Sequence, residues 1–173
     1  METFDVLPIS AVVNGLYLAM HGGISHRLTS LEAINSLDRF MEPPDETLLA
    51  DLLWADPAPD RKCSSIEYKS NENRGISVVF GKEPLKALLV KTKLRAIVRG
   101  HEVKQEGYKF HTWEGEGTFP LVITIFSAPA YGNSDNDAAI MVSDGEGLDI
   151  KTFSVRPDKP YALPEGQDAL SLF

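Results

Sequence analysis

The sequence has a single cysteine, Cys63, in 173 residues, and no apolar run long enough to cross a bilayer. One thiol excludes an internal disulfide and suits a reducing compartment, the cytosol or the nucleus. Basic charge is also scarce: 17 Lys and Arg stand against 25 Asp and Glu, for a formal net charge of -8 and a pI near 5.0. Such a surface repels phosphate backbones and anionic headgroups, so nucleic acid and membrane surfaces are poor partners. No basic region precedes the first apolar stretch, and Asn14-Gly15 interrupts that stretch, so no signal peptide is expected. Repeats, low-complexity tracts and linkers are missing too, and 173 residues with 43% hydrophobic content suit one unit with one core.

The periodicity that is present is mixed. Val12 to Met20 reads as two short β-type runs around Asn14-Gly15, a dipeptide suited to a tight hairpin turn. Thr29-Ser30-Leu31-Glu32 has capping-box spacing, and Leu31, Ile34, Leu37 and Phe40 predict a helix that Pro43-Pro44 stops. Leu48, Leu49, Leu52 and Leu53 predict a second helix, and Lys82 to Leu94, with Pro84 near its start, a third. Further β-type runs cover Ile76 to Phe80, Arg95 to Val98, Tyr108 to Trp113, Leu121 to Phe126, Ala138 to Val142 and Leu148 to Phe153, the last two joined by Asp144-Gly145-Glu146-Gly147. Strands outnumber helices, which predicts an α/β fold with a β-sandwich of mixed sheets flanked by helices.

Three apolar runs end at chemistry-bearing residues: one at His21-Gly22-Gly23, one at Arg99-Gly100-His101-Glu102, one at Ser127-Ala128-Pro129-Ala130-Tyr131. Ligands collect beyond strand ends in open sheets, and glycines beside a histidine admit close approach, so His21 and His101 are candidate metal ligands. Two histidines complete no metal's shell, and on spacing alone a hydrogen-bonded structural role stays ahead. His26 and His111 read as structural. Arg74, in a polar loop before Ile76, is placed to fork onto phosphate oxygens or simply to be solvated. Trp54-Ala55-Asp56-Pro57 reads as a helix end, with the Trp buried and Asp-Pro as a stop.

Taken in order, these motifs resemble a known family. Leu7-Pro8-Ile9, His21-Gly22-Gly23-Ile24-Ser25, Leu53-Trp54-Ala55-Asp56-Pro57, Asn73-Arg74-Gly75, Arg99-Gly100-His101-Glu102 and Ser127-Ala128-Pro129-Ala130-Tyr131 are similar to the boxes of the C-terminal half of a serine/threonine phosphoprotein phosphatase catalytic domain. Phe4-Asp5-Val6-Leu7-Pro8, Leu37-Asp38-Arg39-Phe40, Glu42-Pro43-Pro44, Phe119 to Phe126 and Pro160-Tyr161-Ala162-Leu163-Pro164 give it a calcineurin flavour within the metallophosphoesterase superfamily. The resemblance implies a metal-dependent hydrolase of phosphoserine and phosphothreonine. His21 and His101 would ligate the second of two metals (iron or manganese with zinc), Arg74 would clamp the substrate phosphate, and Tyr131 would wall the metal-bound water.

The family's remaining metal ligands and its general acid lie upstream of the HGG box, and G-D-x-H-G, G-D-x-V-D-R-G and G-N-H-E are not found. Ala130 stands where the family has Asn, and His26 where it has Pro. The chain is therefore expected to be a fragment, a truncated gene model or a short product, inactive alone, and poorly soluble without the missing N-terminal half. The alternative is a non-catalytic docking module that binds short peptides by strand addition along Leu148, Asp149, Ile150, Lys151, Thr152 and Phe153. A remote third reading completes a one-metal site with Asp135 or Asp137. The family's calmodulin-like regulatory subunit is not an expected partner, because its helix would begin after Leu170 to Phe173.

Overall fold

Asn14 and Gly15 both adopt positive φ, 52° and 65°, and the Leu16 amide donates to the Val13 carbonyl at 3.0 Å. This closes a tight turn between β1 (Ser10–Val13) and β2 (Tyr17–Met20), as the dipeptide predicts. The computed structural model describes residues 6–155, except 116, 133, 145 and 146. The expectations at 4–5, 145–146, 160–164 and 170–173 lie outside the described residues.

The remaining strands are β3 (Asp56–Pro57), β4 (Tyr68–Ser70), β5 (Val78–Phe80), β6 (Ala96–Arg99), β7 (Tyr108–Phe110), β8 (Val122–Ile125), β9 (Ala138–Ser143) and β10 (Leu148–Phe153). The helices are α1 (Leu31–Asn35), α2 (Leu48–Trp54) and α3 (Lys82–Thr92), with a 3-10 turn at Asp60–Lys62. A five-stranded sheet runs β1-β2-β6-β8-β7, its three inner strands parallel and its outer two antiparallel to their neighbours. Three parallel strands end at one rim, and that alignment brings the loops after β2, β6 and β8 together.

On one face of this sheet Leu18, Met20, Ile97 and Val122 pack in the main core with Leu52 of α2, Leu85, Leu88 and Leu89 of α3, and Phe80 of the small sheet β3-β5-β4. The β9–β10 hairpin covers part of the other face, where a cavity of about 370 Å³ opens between Ala19, Val98 and Ile125 and the strand residues Ala139 and Met141. The α/β class with mixed sheets and flanking helices is as the pattern predicts, and among the described residues no helix is long and apolar enough to cross a membrane.

Several local expectations are corrected. α1 spans five residues and stops at Ser36, well short of Phe40, which is 64% exposed. Its N-cap is Ser30, whose hydroxyl accepts from the Ala33 amide at 3.3 Å, one residue later than the Thr29 box requires. Trp54 is 39% exposed, because the helix end turns its ring toward His101 instead of the core. Regular pairing ends at Phe110 in β7, and Trp113 enters the core beyond the strand against Phe80. β5 begins at Val78, two residues late, because Ser77 takes a φ of 65°.

Candidate metal and phosphate site

β2 delivers His21 and β6, one residue beyond Gly100, delivers His101. Their rings meet with His21 Nε2 and His101 Nδ1 3.0 Å apart. The approach depends on Gly22: a Cβ there would fall 2.5 Å from the Leu53 backbone, so only glycine lets the turn lie against α2, where its amide donates to the Leu52 carbonyl at 2.7 Å. His101 holds a left-handed φ of 67°, an uncommon state for a non-glycine residue, and Trp54 packs edge-on against its ring at 5.3 Å. The His101 Nε2 atom is buried with no hydrogen-bond partner among the described residues.

The floor of the site is a charge network that the sequence reading missed. Arg99, 1% exposed, ends the buried run of β6. Its Nε donates to the Gly22 carbonyl at 2.7 Å, Nη1 to Glu102 at 2.8 Å, and Nη2 to Asp56 Oδ1 at 3.0 Å, tying three loops to one guanidinium. Asp56 then uses Oδ2 to accept from Asn71 at 2.9 Å and from Arg74 Nε at 2.9 Å. Arg74 Nη2 reaches the His101 carbonyl at 3.5 Å, so Arg74 does sit beside the histidine pair. The signal was present: an Arg closing a buried strand must find a carboxylate, and Asp56 was read only as a helix stop.

Electrostatics keep the imidazoles neutral. Burial lowers the pKa of His101 to about 4, with the Arg74 charge adding to the effect, and burial followed by the Arg99 and Arg74 charges lowers His21. Burial alone would raise Asp56, but the hydrogen bonds from Arg74 and Asn71 and the charges of Arg99 and Arg74 outweigh it and hold the carboxyl below its usual range. A neutral imidazole keeps the lone pair that a metal needs.

Tyr131 is not part of this cluster. It is 59% exposed, its ring stacks edge-on against Phe126 at 5.3 Å, and no hydrogen bond or ring contact among the described residues joins it to either histidine. Its loop is held by the buried Asn136, whose Oδ1 accepts from the Tyr131 amide at 3.0 Å and whose Nδ2 donates to the Ala128 carbonyl at 2.9 Å. Ala130, where the resembled family has Asn, sits at a φ of 48°, a conformation that Asn tolerates better. His26 packs against Tyr68, and His111 is buried with Nε2 3.0 Å from the Thr124 hydroxyl, so both are structural as expected. Asp135 accepts from Gln105 at 3.0 Å, Asp137 bonds the Gln105 carbonyl through its amide, and among the described residues no three His, Cys, Asp or Glu side chains form a metal-holding group. The one-metal reading therefore finds no support.

Leu148–Phe153 forms the outer strand of the two-stranded sheet, with Asp149, Lys151, Thr152 and Phe153 exposed.

The sequence profile of the family described as Calcineurin-like phosphoesterase matches residues 1–105. The Serine/threonine-protein phosphatase 2B catalytic subunit A1 of Saccharomyces cerevisiae is 36% identical over 180 aligned positions, covering 98% of this chain and 32% of the relative. The catalytic subunit A2 of the same yeast is 34% identical, with the same 98% and 32% coverage. A solved protein serine/threonine phosphatase from S. cerevisiae with similarity to human phosphatase PP5 superposes with a TM-score of 0.71 at 29% identity, over 91% of this chain and 50% of that one. The chain thus spans about a third of the curated relatives it matches.

Proposed function

Because the chain belongs to the calcineurin-like phosphoesterase family, we propose that it supplies one side of the active site of a metal-dependent serine/threonine protein phosphatase. The observation that carries this reading is the 3.0 Å separation of His21 Nε2 and His101 Nδ1. Two imidazoles on one tetrahedral ion, each about 2.1 Å from it, would hold their nitrogens about 3.4 Å apart, so the pair is a few tenths of an ångström short of bite distance for a borderline divalent metal. The fit is partial: two neutral nitrogens do not complete a shell, and no third donor stands with them among the described residues. When bound, a pair of such ions, iron or manganese with zinc, supplies an acidified water and offsets charge on the phosphoryl oxygens.

The chain's own residues then have separate tasks. His21 and His101 stand at rigid strand ends with their facing nitrogens hydrogen-bonded to each other, and the proton between them would leave when both nitrogens take a metal. Arg74, steadied through Nε by Asp56, keeps most of its fork for the oxyanion of a phosphoserine or phosphothreonine, since its other side-chain hydrogen bond among the described residues is the long one to the His101 carbonyl. Catalysis depends on carboxylates and a general acid supplied from outside the described residues, so the chain alone is inactive. The single buried thiol of Cys63 supports a reducing compartment, cytosol or nucleus.

The test is manganese-dependent hydrolysis of p-nitrophenyl phosphate by the purified chain beside its His21→Ala, His101→Ala double variant. The expected result is no turnover by either. Turnover lost in the double variant contradicts the reading, because a full ligand set would then lie within this chain.

A second reading rests on the exposed outer edge of β10. Its backbone donors and acceptors, unpaired on that side among the described residues, suit strand addition by a short extended peptide, which needs no metal.

A further inference from the structure

The two edges of the β9–β10 hairpin are treated differently. On the β9 side the Ala139 amide donates to the Phe126 carbonyl at 2.8 Å, and Asn14 Nδ2 donates to the Ser143 carbonyl at 3.1 Å, so that edge is tied to the larger sheet. On the β10 side no strand is paired among the described residues. An edge strand of six residues with open backbone groups is a template for pairing, and natural sheets blunt it with charged side chains, above all lysine, with proline, or with a covering segment. Within its span β10 has no proline and a single lysine, Lys151. It carries one charge of each sign, Asp149 and Lys151, two residues apart and therefore on one face. Both are exposed, and neither forms an ion pair among the described residues.

We propose that β10 pairs with β10 of a second copy of this chain, antiparallel about a two-fold axis at Ile150, giving a four-stranded sheet in the order β9-β10-β10-β9. The sequence is self-complementary in this register. With Ile150 opposite itself, Asp149 faces the partner subunit's Lys151 and Lys151 faces the partner subunit's Asp149, while Leu148 faces the partner subunit's Thr152. Phe153 falls opposite the partner subunit's Gly147, beside which an added Cβ would meet nothing within 4 Å, so the ring has room. Sliding the pair by two residues in either direction sets Asp149 against Asp149 or Lys151 against Lys151, and like charges directly opposite disfavour both slips. The charges thus select one register and close the assembly at two copies instead of an open fibre. This goes beyond the phosphatase reading and does not depend on it.

The experiment is sedimentation equilibrium of the full chain as a function of concentration, comparing the parent with Asp149→Lys, Lys151→Asp and the double swap Asp149→Lys/Lys151→Asp. Both substituted side chains project into solvent, so folding is unaffected. The parent forms a dimer, each single reversal raises the dissociation constant about tenfold or more by placing like charges opposite in both halves of the interface, and the double swap restores it. A parent that stays monomeric at every concentration overturns the proposal. So does a dimer that is indifferent to the single reversals, which would place the contact on another surface.

Discussion

Two buried polar clusters lie side by side beneath the five-stranded sheet, rooted on Arg99 of β6 and Thr124 of β8, which are register partners, and they are completed to different degrees. In the first, every arm of the Arg99 guanidinium has a partner, and Asp56 passes its second oxygen to Arg74. In the second, His111 bonds Thr124, but its Nδ1 and Asp60 Oδ1 face each other at 3.5 Å without a hydrogen bond, and both atoms are buried without a hydrogen-bond partner among the described residues. The first cluster is built on a permanently charged group, so its geometry holds across ordinary pH. The second rests on an imidazole that burial keeps neutral, so acid opens it. The strand-end site sits over the first, and that placement keeps the histidine pair in register while the titrating group stays at a distance.

Breaking the first cluster has the largest effect. Arg99→Met leaves Asp56, Glu102 and the Gly22 carbonyl without their partner in the core and costs about 3–5 kcal/mol, read by urea or thermal unfolding. Asp56→Asn keeps the shape but removes the charge between two arginines. It costs about 1–3 kcal/mol and weakens tungstate or phosphate binding, because Arg74 is no longer held. A stability loss without any change in oxyanion binding would separate Asp56 from the site.

The second cluster is tested through pH. Burial lowers the folded-state pKa of His111 from the ordinary imidazole value of 6.5 to about 3, so between the two values the unfolded chain binds more protons and stability falls as pH is lowered from 6.5. In His111→Gln that fall is shallower, as measured by unfolding free energy against pH; an unchanged slope would assign the acid sensitivity elsewhere. The smallest stability effect belongs to Arg74→Lys, within about 1 kcal/mol for a partly exposed pair. Its consequence is functional: an ammonium cannot fork, so oxyanion affinity drops although the charge is kept.

Much of this was legible in the sequence. The Asn14-Gly15 turn, α3 with its buried Leu85, Leu88 and Leu89, and the strand ends at His21 and His101 follow from local chemistry that the tertiary structure leaves in force. The sequence left Arg74 as a phosphate fork or a solvated loop residue, the resemblance favoured the fork, and the structure sets it beside the pair. What sequence could not give was long-range. α1 stops early although Leu37 packs against the core, because such a contact needs apolar side chains and no helix. Asp56 has meaning only once Arg99, 43 residues later, comes to meet it. Tyr131 belongs to a box that resembles a family site, yet its own loop, held by Asn136, turns it outward.

The most direct test of the central claim, that His21 and His101 are two ligands of one metal, is titration of the chain with manganese(II) while the imidazole proton resonances of its four histidines are followed by NMR. Selective broadening of His21 and His101 by the paramagnetic ion, with the exposed His26 and the buried His111 unaffected, is the predicted result. Broadening that favours His26, or that touches neither member of the pair, would contradict it.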